Sequence, residues 1–149
     1  MVTLRPFALR DFAAVHALWR ATEGIGLSGA DTRPAIAQFL RRNRGMSLVA
    51  TAGGTVVGAV LCGHDGRRGY LHHLVVDPGW RGRGLGRGMV AASLKRLAAA
   101  GIQKCNIFLY ADNVKGGAFW RRNGWTRRED LRVVQHPTRG RGAGCERGC

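Results

Sequence analysis

An eleven-residue stretch from Asp77 to Arg87, Asp-Pro-Gly-Trp-Arg-Gly-Arg-Gly-Leu-Gly-Arg, limits the folds that are open to this chain. An apolar, strand-like run precedes it and a strongly helical pattern follows it, which predicts a glycine-rich loop at the start of a helix. Glycine has no Cβ atom, so the N–H groups of Gly82, Gly84 and Gly86 can turn toward one anion, and the helix dipole points its positive end at the same place. The stretch therefore predicts a phosphate site between a strand and a helix.

The spacing of the glycines narrows the kind of phosphate loop. The dinucleotide fingerprint G-x-G-x-x-G fails, because its last position falls on Arg87 or Met89. A nucleotide triphosphate loop needs Gly-Lys-Ser or Gly-Lys-Thr, and the sequence has neither. The pattern R-x-x-G-x-G does fit, from Arg81 to Gly86. A flexible Arg-Gly repeat that contacts RNA is the alternative, and the flanking strand and helix patterns disfavour it.

Length and composition predict a single α/β (α+β) domain. The chain has 149 residues, of which 45% are hydrophobic, enough for one core. We expect the domain to cover residues 1–135 and a Gly/Arg-rich tail over 136–149 to be disordered. No apolar run reaches the ~18 residues that a membrane span needs, and charged residues interrupt the N-terminal segment. The sequence therefore predicts a cytoplasmic protein without a signal peptide or membrane contact.

The charge of the chain favours anionic partners. A formal net charge of +15 produces a positive field that attracts polyanions, either a phosphorylated coenzyme or nucleic acid. The cysteines indicate no metal site. Cys62 and Cys105 lie in apolar strand-like runs and are interpreted as small core residues, while Cys145 and Cys149 in the tail lack a second pair of ligands.

Periodicity and turn signals predict the element order β-αα-β-β-β-α-β-α-β. Two short helices follow the first strand, and a mobile glycine loop over 24–29 separates them. The helix after the phosphate loop ends at Gly101. The predicted strands cover residues 2–4, 47–52, 55–62, 70–76, 104–110 and 125–134, and a short helix covers residues 116–123.

The loop pattern and its preceding strand closely resemble the coenzyme A loop of the GNAT superfamily of N-acetyltransferases, and the element order matches that family. A second segment, from Asn113 to Trp125, resembles the family pattern N-x-x-A/G-x-x-x-Y-x-x-x-G-F/Y. The resemblance implies a mixed central sheet that is splayed at the cofactor site. It also implies acetyl-coenzyme A as the co-substrate.

By this resemblance, main-chain amides of the loop hold the pyrophosphate, and the strand before the loop pairs with the pantetheine chain. A backbone N–H of this strand, assigned to Val76, polarises the acetyl carbonyl. The cofactor-binding residues implied are Leu74, Val75, Val76, Arg81, Gly82, Arg83, Gly84, Leu85, Gly86, Arg87, Asn113, Gly116 and Trp120.

Trp120 is the clearest departure from the family pattern. The family usually has a tyrosine there, whose hydroxyl protonates the departing thiolate, and the indole N–H is too weak an acid for that task. A thiol with a pKa near ~8.5 is already a fair leaving group, so we expect transfer slowed by ~10²-fold or less. Tyr110 replaces the missing acid only if its side chain points into the cleft.

The base that takes a proton from the incoming amine has four candidates: Tyr70, His72, His73 and Glu23. Neighbouring strand residues point to opposite faces of a sheet, so we expect only one of the two histidines on the acceptor side. Family spacing puts Tyr70 near the position of a family glutamate, with His72 next on the same face. His72 is therefore the preferred base, together with Tyr70 as a catalytic candidate.

The predicted function is transfer of acetyl from acetyl-coenzyme A to a primary amine by direct attack in a ternary complex. The acceptor is a small molecule or a peptide whose identity the sequence leaves open. The alternative is an acyl-coenzyme A-binding or nucleic-acid-associated module with little or no turnover, suggested by the missing tyrosine and the excess of arginine. Exposed sheet edges also leave a homodimer open.

Overall fold

Five strands form one mixed sheet in chain order. The structure is a computed structural model, and it describes residues 1–139. The strands are β1 (Val2–Pro6), β2 (Leu48–Ala52), β3 (Thr55–His64), β4 (Gly69–Val76) and β5 (Cys105–Ile107). Strands β1 to β4 are antiparallel, and β5 pairs with β4 in parallel. The helices are α1 (Phe12–Arg20), α2 (Arg33–Arg42), α3 (Leu85–Ala99) and α4 (Val114–Arg122).

Each face of the sheet has its own hydrophobic core. Helix α3 buries Met89 and Leu97 against one face, where they join Leu71 of β4. Helices α1 and α2 cover the other face, where Trp19 is fully buried beside Val75. A fully buried side chain of this size contributes roughly 1.5–3 kcal/mol. The predicted single α/β domain is confirmed, and no helix over residues 1–139 could span a membrane.

The capping residues explain where the helices begin and end. The Thr32 hydroxyl accepts a hydrogen bond from the Ala35 N–H (3.3 Å), and Pro34 lies in the first turn of α2. Helix α3 begins after Gly84, which has a φ of 78°, and is followed by Gly101, which has a φ of 82°. These left-handed conformations suit glycine, so the predicted helix ends are confirmed.

A β-bulge interrupts β4 in its middle. His72 lies opposite Leu61 of β3, but Val75 lies opposite Ala59, so two residues of β4 face one residue of β3. His73 has a φ of 53°, and it is the one non-glycine residue with a positive φ in the described chain. The bulge therefore sits at a strained residue.

The bulge puts both histidines on one face of the sheet. The ring of His72 lies 6.2 Å from the ring of Phe39 in α2, and the ring of His73 lies 5.1 Å from that of Trp19 in α1. The prediction that His72 and His73 point to opposite faces is therefore wrong. The extra residue of the bulge reverses the alternation of side chains on which that prediction depended.

The sheet is open between β4 and β5. The two strands pair only over three positions, from Gly69 opposite Cys105 to Leu71 opposite Ile107. Strand β4 continues to Val76 without β5 beside it. This wedge is the splayed region that the family resemblance implies.

The last predicted strand is wrong, and β5 is shorter than predicted. Residues 125–134 are described and contain no strand, and β5 ends at Ile107 rather than at residue 110. Charged residues fill positions 127–130, where Arg127 contacts Glu129 (3.0 Å) and Arg128 contacts Asp130 (2.8 Å). Since these side chains pair locally and interrupt the apolar alternation, the segment has no apolar face to bury against the sheet.

Both cysteines of the described chain pack in or against the hydrophobic core. Cys62 is buried and Cys105 is half-buried, and burial raises the pKa of their thiols to about 11 and about 12. Their interpretation as core residues is confirmed. Residues 136–139 are exposed and irregular, and residues 140–149, which include Cys145 and Cys149, lie outside the described residues.

Candidate active site

A cavity of about 970 Å³ fills the wedge between β4 and β5 and extends over the start of α3. Its walls come from the second half of β4, the glycine loop, the end of β5, α4 and the loop after α1. Ligand pockets usually enclose about 300–1,000 Å³, so this cavity has the volume for a large ligand. Nearly all of the predicted cofactor-binding residues line it.

The glycine loop presents main-chain amides to this cavity. Gly82 and Gly84 have φ values of 74° and 78°, a conformation that other residues rarely adopt. The first hydrogen bond of α3 runs from Gly88 N to Gly84 O (2.9 Å), so the preceding amides have no partner within the helix. No atom lies within 4 Å of where a Cβ at Gly82 or Gly84 would stand. The loop therefore combines free donors, a helix dipole and open space, as an anion site requires.

The arginines around the loop have different positions. Arg81 and Arg87 line the cavity, and the Arg81 Nε donates a hydrogen bond to the Val76 carbonyl (3.2 Å). Arg83 does not line the cavity, and its guanidinium stacks 4.6 Å above the ring of Trp80. Arg122, in the last turn of α4, lines the cavity although the sequence did not suggest it. Only its place within the segment from Asn113 to Trp125 could have pointed to it.

The second half of β4 offers an unpaired edge to the wedge. The Asp77 N–H donates to the Val57 carbonyl of β3 (2.8 Å). Main-chain N–H groups alternate between the two sides of a strand, so the N–H group of Val76, which lies beyond the bulge, points away from β3 and into the wedge. Because β5 pairs no further than Leu71, it does not use this donor. This edge can accept an extended ligand as an added strand.

Asn113 closes the far end of the cavity. Its Oδ1 accepts a hydrogen bond from the Gly116 N–H (2.9 Å) and so caps α4. A Cβ at Gly116 would lie 2.6 Å from the Asn113 Nδ2, and a Cβ at Gly24 would lie 3.1 Å from it. The loop after α1 therefore meets the start of α4 across the cavity. Glycine at these two positions permits that close approach.

The cavity has no tyrosine in its wall. The chain has two tyrosines, Tyr70 and Tyr110, and neither of them lines the cavity. Trp120 does line it, and its ring makes an edge contact with the ring of Trp125 (4.8 Å). Tyr110 therefore does not meet the condition set for it, that its side chain points into the cleft.

The predicted bases divide into two groups. His73 and Glu23 line the cavity, whereas Tyr70 and His72 do not. The Tyr70 and His72 rings are stacked 6.2 Å apart beside Phe108, whose side chain is 62% exposed. Burial lowers the pKa of His72, and the nearby charge of His73 lowers it further. His72, the base preferred from the sequence, thus lies outside the cavity, and its neighbour His73 lies inside it.

His73 is held by two partners from distant parts of the chain. Its Nε2 lies 2.8 Å from the Oδ1 of Asp31, and its carbonyl accepts a hydrogen bond from the Trp19 indole N–H (3.3 Å). The other carboxylate oxygen of Asp31 accepts a hydrogen bond from the Ser28 N–H (2.9 Å). Burial acts to raise the pKa of Asp31, but the hydrogen bonds and the charge of His73 outweigh it, so the pKa lies below its usual value. Asp31 was not among the candidate site residues predicted from the sequence.

Comparisons with known proteins agree with this geometry. The model of the acetyltransferase (GNAT) family matches residues 12–125. A Yersinia pestis (strain Pestoides F) protein named acetyltransferase is 36% identical over 110 residues, which cover 74% of this chain and 77% of that protein.

Two solved structures share the fold at low sequence identity. Ard1 from Thermoplasma volcanium has a TM-score of 0.75 at 20% identity, covering 84% of this chain and 82% of that one. The PaiA N-acetyltransferase of Thermoplasma acidophilum, crystallised with coenzyme A, has a TM-score of 0.73 at 17% identity, covering 85% of this chain and 90% of that one.

Proposed function

This chain belongs to the acetyltransferase (GNAT) family, and we propose that it transfers the acetyl group of acetyl-coenzyme A to a primary amine by direct attack in a ternary complex. One observation carries the proposal: free main-chain amides of the glycine loop and of the β4 edge face the same cavity. An anionic group and an extended chain can bind side by side there, as the diphosphate and pantetheine parts of the co-substrate require.

The phosphate end of the site fits a diphosphate. Two left-handed glycines leave the space above the loop open, and the amides of Leu85, Gly86 and Arg87 precede the first hydrogen bond of α3. These donors and the helix dipole favour negative charge. Arg81, Arg87 and Arg122 add positive charge along the same wall.

The thioester end of the site relies on the edge of β4. The N–H group of Val76 points into the wedge, and the unpaired backbone from Leu74 to Val76 can hold the pantetheine chain and the acetyl carbonyl there. We assign the carbonyl to the Val76 N–H, as the family resemblance implies. One such donor aimed at the developing oxyanion stabilises the transition state by about 3 kcal/mol.

The leaving thiolate has no tyrosine to protonate it in this site. Trp120 stands where the family pattern has tyrosine, and both tyrosines of the chain lie outside the cavity. Water at the open side of the wedge then supplies the proton. We expect turnover to persist, since a thiolate is a fair leaving group near neutral pH.

The acceptor enters from the side of the loop after α1. Thr22, Glu23 and Ile25 of this loop line the cavity, and Glu23 is the acidic side chain at that entrance. A carboxylate there attracts an ammonium group against the positive charge of the rest of the chain. We therefore propose a cationic amine, small or at the end of a peptide, as the acceptor.

Two measurements on the full-length protein test this function. Calorimetry should give a micromolar Kd for acetyl-coenzyme A, and thiol release should appear with at least one amine of a panel comprising alkylamines, arylalkylamines, polyamines and a short peptide. Absence of binding by folded protein would contradict the assignment. Binding without thiol release across the panel would favour the acyl-coenzyme A-binding alternative, and steep salt-dependent binding to RNA would favour the nucleic-acid alternative.

A further inference from the structure

We propose that His73 is the general base for the acceptor amine and that Asp31 is the residue that positions it. The proposal rests on the proposed function, because it assigns the proton acceptor for that reaction. It replaces His72, the base preferred on sequence grounds, by its neighbour.

The first support is the place of His73 in the cavity. His73 lines the same cavity as Leu74 and Val76, and its side chain is 19% exposed. The bulge turns it onto the α1 and α2 face, directly before the strand edge assigned to the thioester. An amine that reaches the acetyl group from the loop after α1 therefore passes the imidazole.

The second support is the backbone strain at this position. A non-glycine residue in the left-handed region is uncommon and persists where its surroundings hold it there. At His73 the Trp19 indole and the Asp31 carboxylate supply these contacts from α1 and from the 3-10 turn Gly29–Asp31. The orientation of this imidazole is thus fixed from two separate parts of the chain.

The third support is the tautomer that Asp31 selects. A carboxylate that accepts from Nε2 keeps the proton on that nitrogen, and the lone pair of a neutral ring is then on Nδ1. Over residues 1–139 the ring makes no other hydrogen bond. Asp31 is itself fixed by the Ser28 amide and is only 6% exposed, so the pair cannot easily rearrange.

In the proposed step, Nδ1 of His73 accepts one proton from the ammonium group of the acceptor, and Asp31 stabilises the resulting imidazolium. The neutral amine forms the C–N bond, and the C–S bond then breaks as the thiolate departs. The second proton lost by the amine nitrogen goes to the thiolate through water, and His73 releases its own proton to solvent. One ammonium and one thioester thus give one amide, one thiol and one proton.

Several charged groups lie around His73. Asp31 approaches from the 3-10 turn, His72 is its neighbour in β4, and Glu23 shares the cavity from the loop after α1. Arg81 and Arg122 line the more distant walls. The Asp31 carboxylate is the group in direct contact with the ring, so its removal should have the largest effect on the tautomer of His73.

The decisive variant is His73→Asn, since asparagine tolerates the left-handed backbone. Using the panel amine with the highest turnover, we expect kcat/KM to fall by about 10²-fold at pH 7. The deficit should shrink as the pH approaches the pKa of the amine, because the solution then supplies neutral amine. The Kd of acetyl-coenzyme A should stay within about threefold by calorimetry. His136→Asn, in the exposed C-terminal segment, serves as the control for loss of a histidine.

A second variant separates positioning from simple support of the fold. Asp31→Asn retains an oxygen for the Ser28 amide and turns its NH2 group toward Nε2, which places the ring proton on Nδ1, so kcat/KM should show the same pH-dependent deficit as in His73→Asn. Nitrogen-detected NMR of the histidine rings in the wild-type protein with coenzyme A should show the neutral His73 ring protonated on Nε2. A purely structural role predicts instead a deficit that is independent of pH.

Each of three results would overturn the proposal. The first is a deficit in His73→Asn that does not change with pH, and the second is a pH-dependent deficit in His72→Asn with His73→Asn unaffected. The third is a neutral His73 ring that carries its proton on Nδ1. If no amine is acetylated at all, the proposed function fails, and the NMR result still decides whether Asp31 selects the required tautomer.

Discussion

The two sides of β4 build their parts of the site in different ways. On the side of α3, one continuous stretch of main chain supplies the free N–H groups, and glycines at 82 and 84 leave the space above the loop open. On the side of α1 and α2, side chains separated by 42 residues come together at a bulge, as Asp31 and His73 do. The first side depends on local backbone conformation, and the second depends on the completed tertiary structure.

This difference determines which mutations should damage which function. A change in the glycine loop alters the shape or charge of the anion site directly, so we expect large effects on binding of the co-substrate. Changes beside α4 or at Trp120 act on side chains around a backbone site that is already in place. They should have smaller effects on the binding of acetyl-coenzyme A and on turnover.

The largest effect is expected from Gly84→Glu, which places a carboxylate at the mouth of the loop. Two unit charges 4 Å apart at an effective dielectric of 20 repel each other by about 4 kcal/mol. We therefore expect the Kd of acetyl-coenzyme A to rise by at least about 100-fold, measured by calorimetry. A Kd within twofold of wild type would show that the diphosphate binds elsewhere.

The control at the same position is Gly84→Asn, which adds a side chain without charge. Asparagine tolerates a φ of 78°, and no atom lies within 4 Å of the new Cβ. We expect a loss of stability of about 1 kcal/mol and a Kd within about fivefold of wild type. If both variants lose binding equally, then the shape of the glycine loop rather than its charge determines the affinity for acetyl-coenzyme A.

An intermediate effect is expected from Gly116→Ala. The new Cβ would stand 2.6 Å from the Asn113 Nδ2 and would displace that side chain from the cavity wall. Loss of one polar contact corresponds to about 1 kcal/mol, so the Kd of acetyl-coenzyme A should rise by about five- to tenfold. The matched control is Gly117→Ala, whose Cβ would meet only Leu109 at 3.7 Å. Equal losses in the two alanine variants would contradict a role for Asn113.

The smallest effect is expected from Trp120→Tyr. The phenolic O–H can protonate the departing thiolate, which the indole N–H cannot do. We expect kcat in the thiol-release assay to rise by up to about tenfold with the Kd of acetyl-coenzyme A little changed. Trp120→Phe tests the alternative that the increase in kcat comes from the smaller ring alone. A Tyr variant no faster than the Phe variant would show that proton donation does not limit turnover.

Most of the fold followed from local patterns in the sequence. Alternating runs predicted β2 to β4 closely, and glycines predicted both ends of α3. The conformation of the glycine loop was predictable for the same reason, since it is encoded within a few consecutive residues. The failed prediction at residues 125–134 shows the limit of this approach, because a strand also needs an apolar face and a partner.

The side of β4 that faces α1 and α2 could not be predicted in the same way. The pair His72 and His73 has no glycine to signal a bulge, so the regular alternation of a strand was the natural expectation. The contacts that hold His73 come from Trp19 and Asp31, 54 and 42 residues away. Only the folded chain brings these residues together.

The left-handed backbone at position 73 also has a consequence for mutational tolerance. Few residue types accept a φ of 53° readily, chiefly glycine, asparagine, aspartate and histidine. Of these, histidine alone combines that backbone with a proton acceptor that works near neutral pH. A saturation library should therefore yield many folded variants at position 72. At position 73 we expect few substitutions to give a folded protein, and fewer still to give an active one.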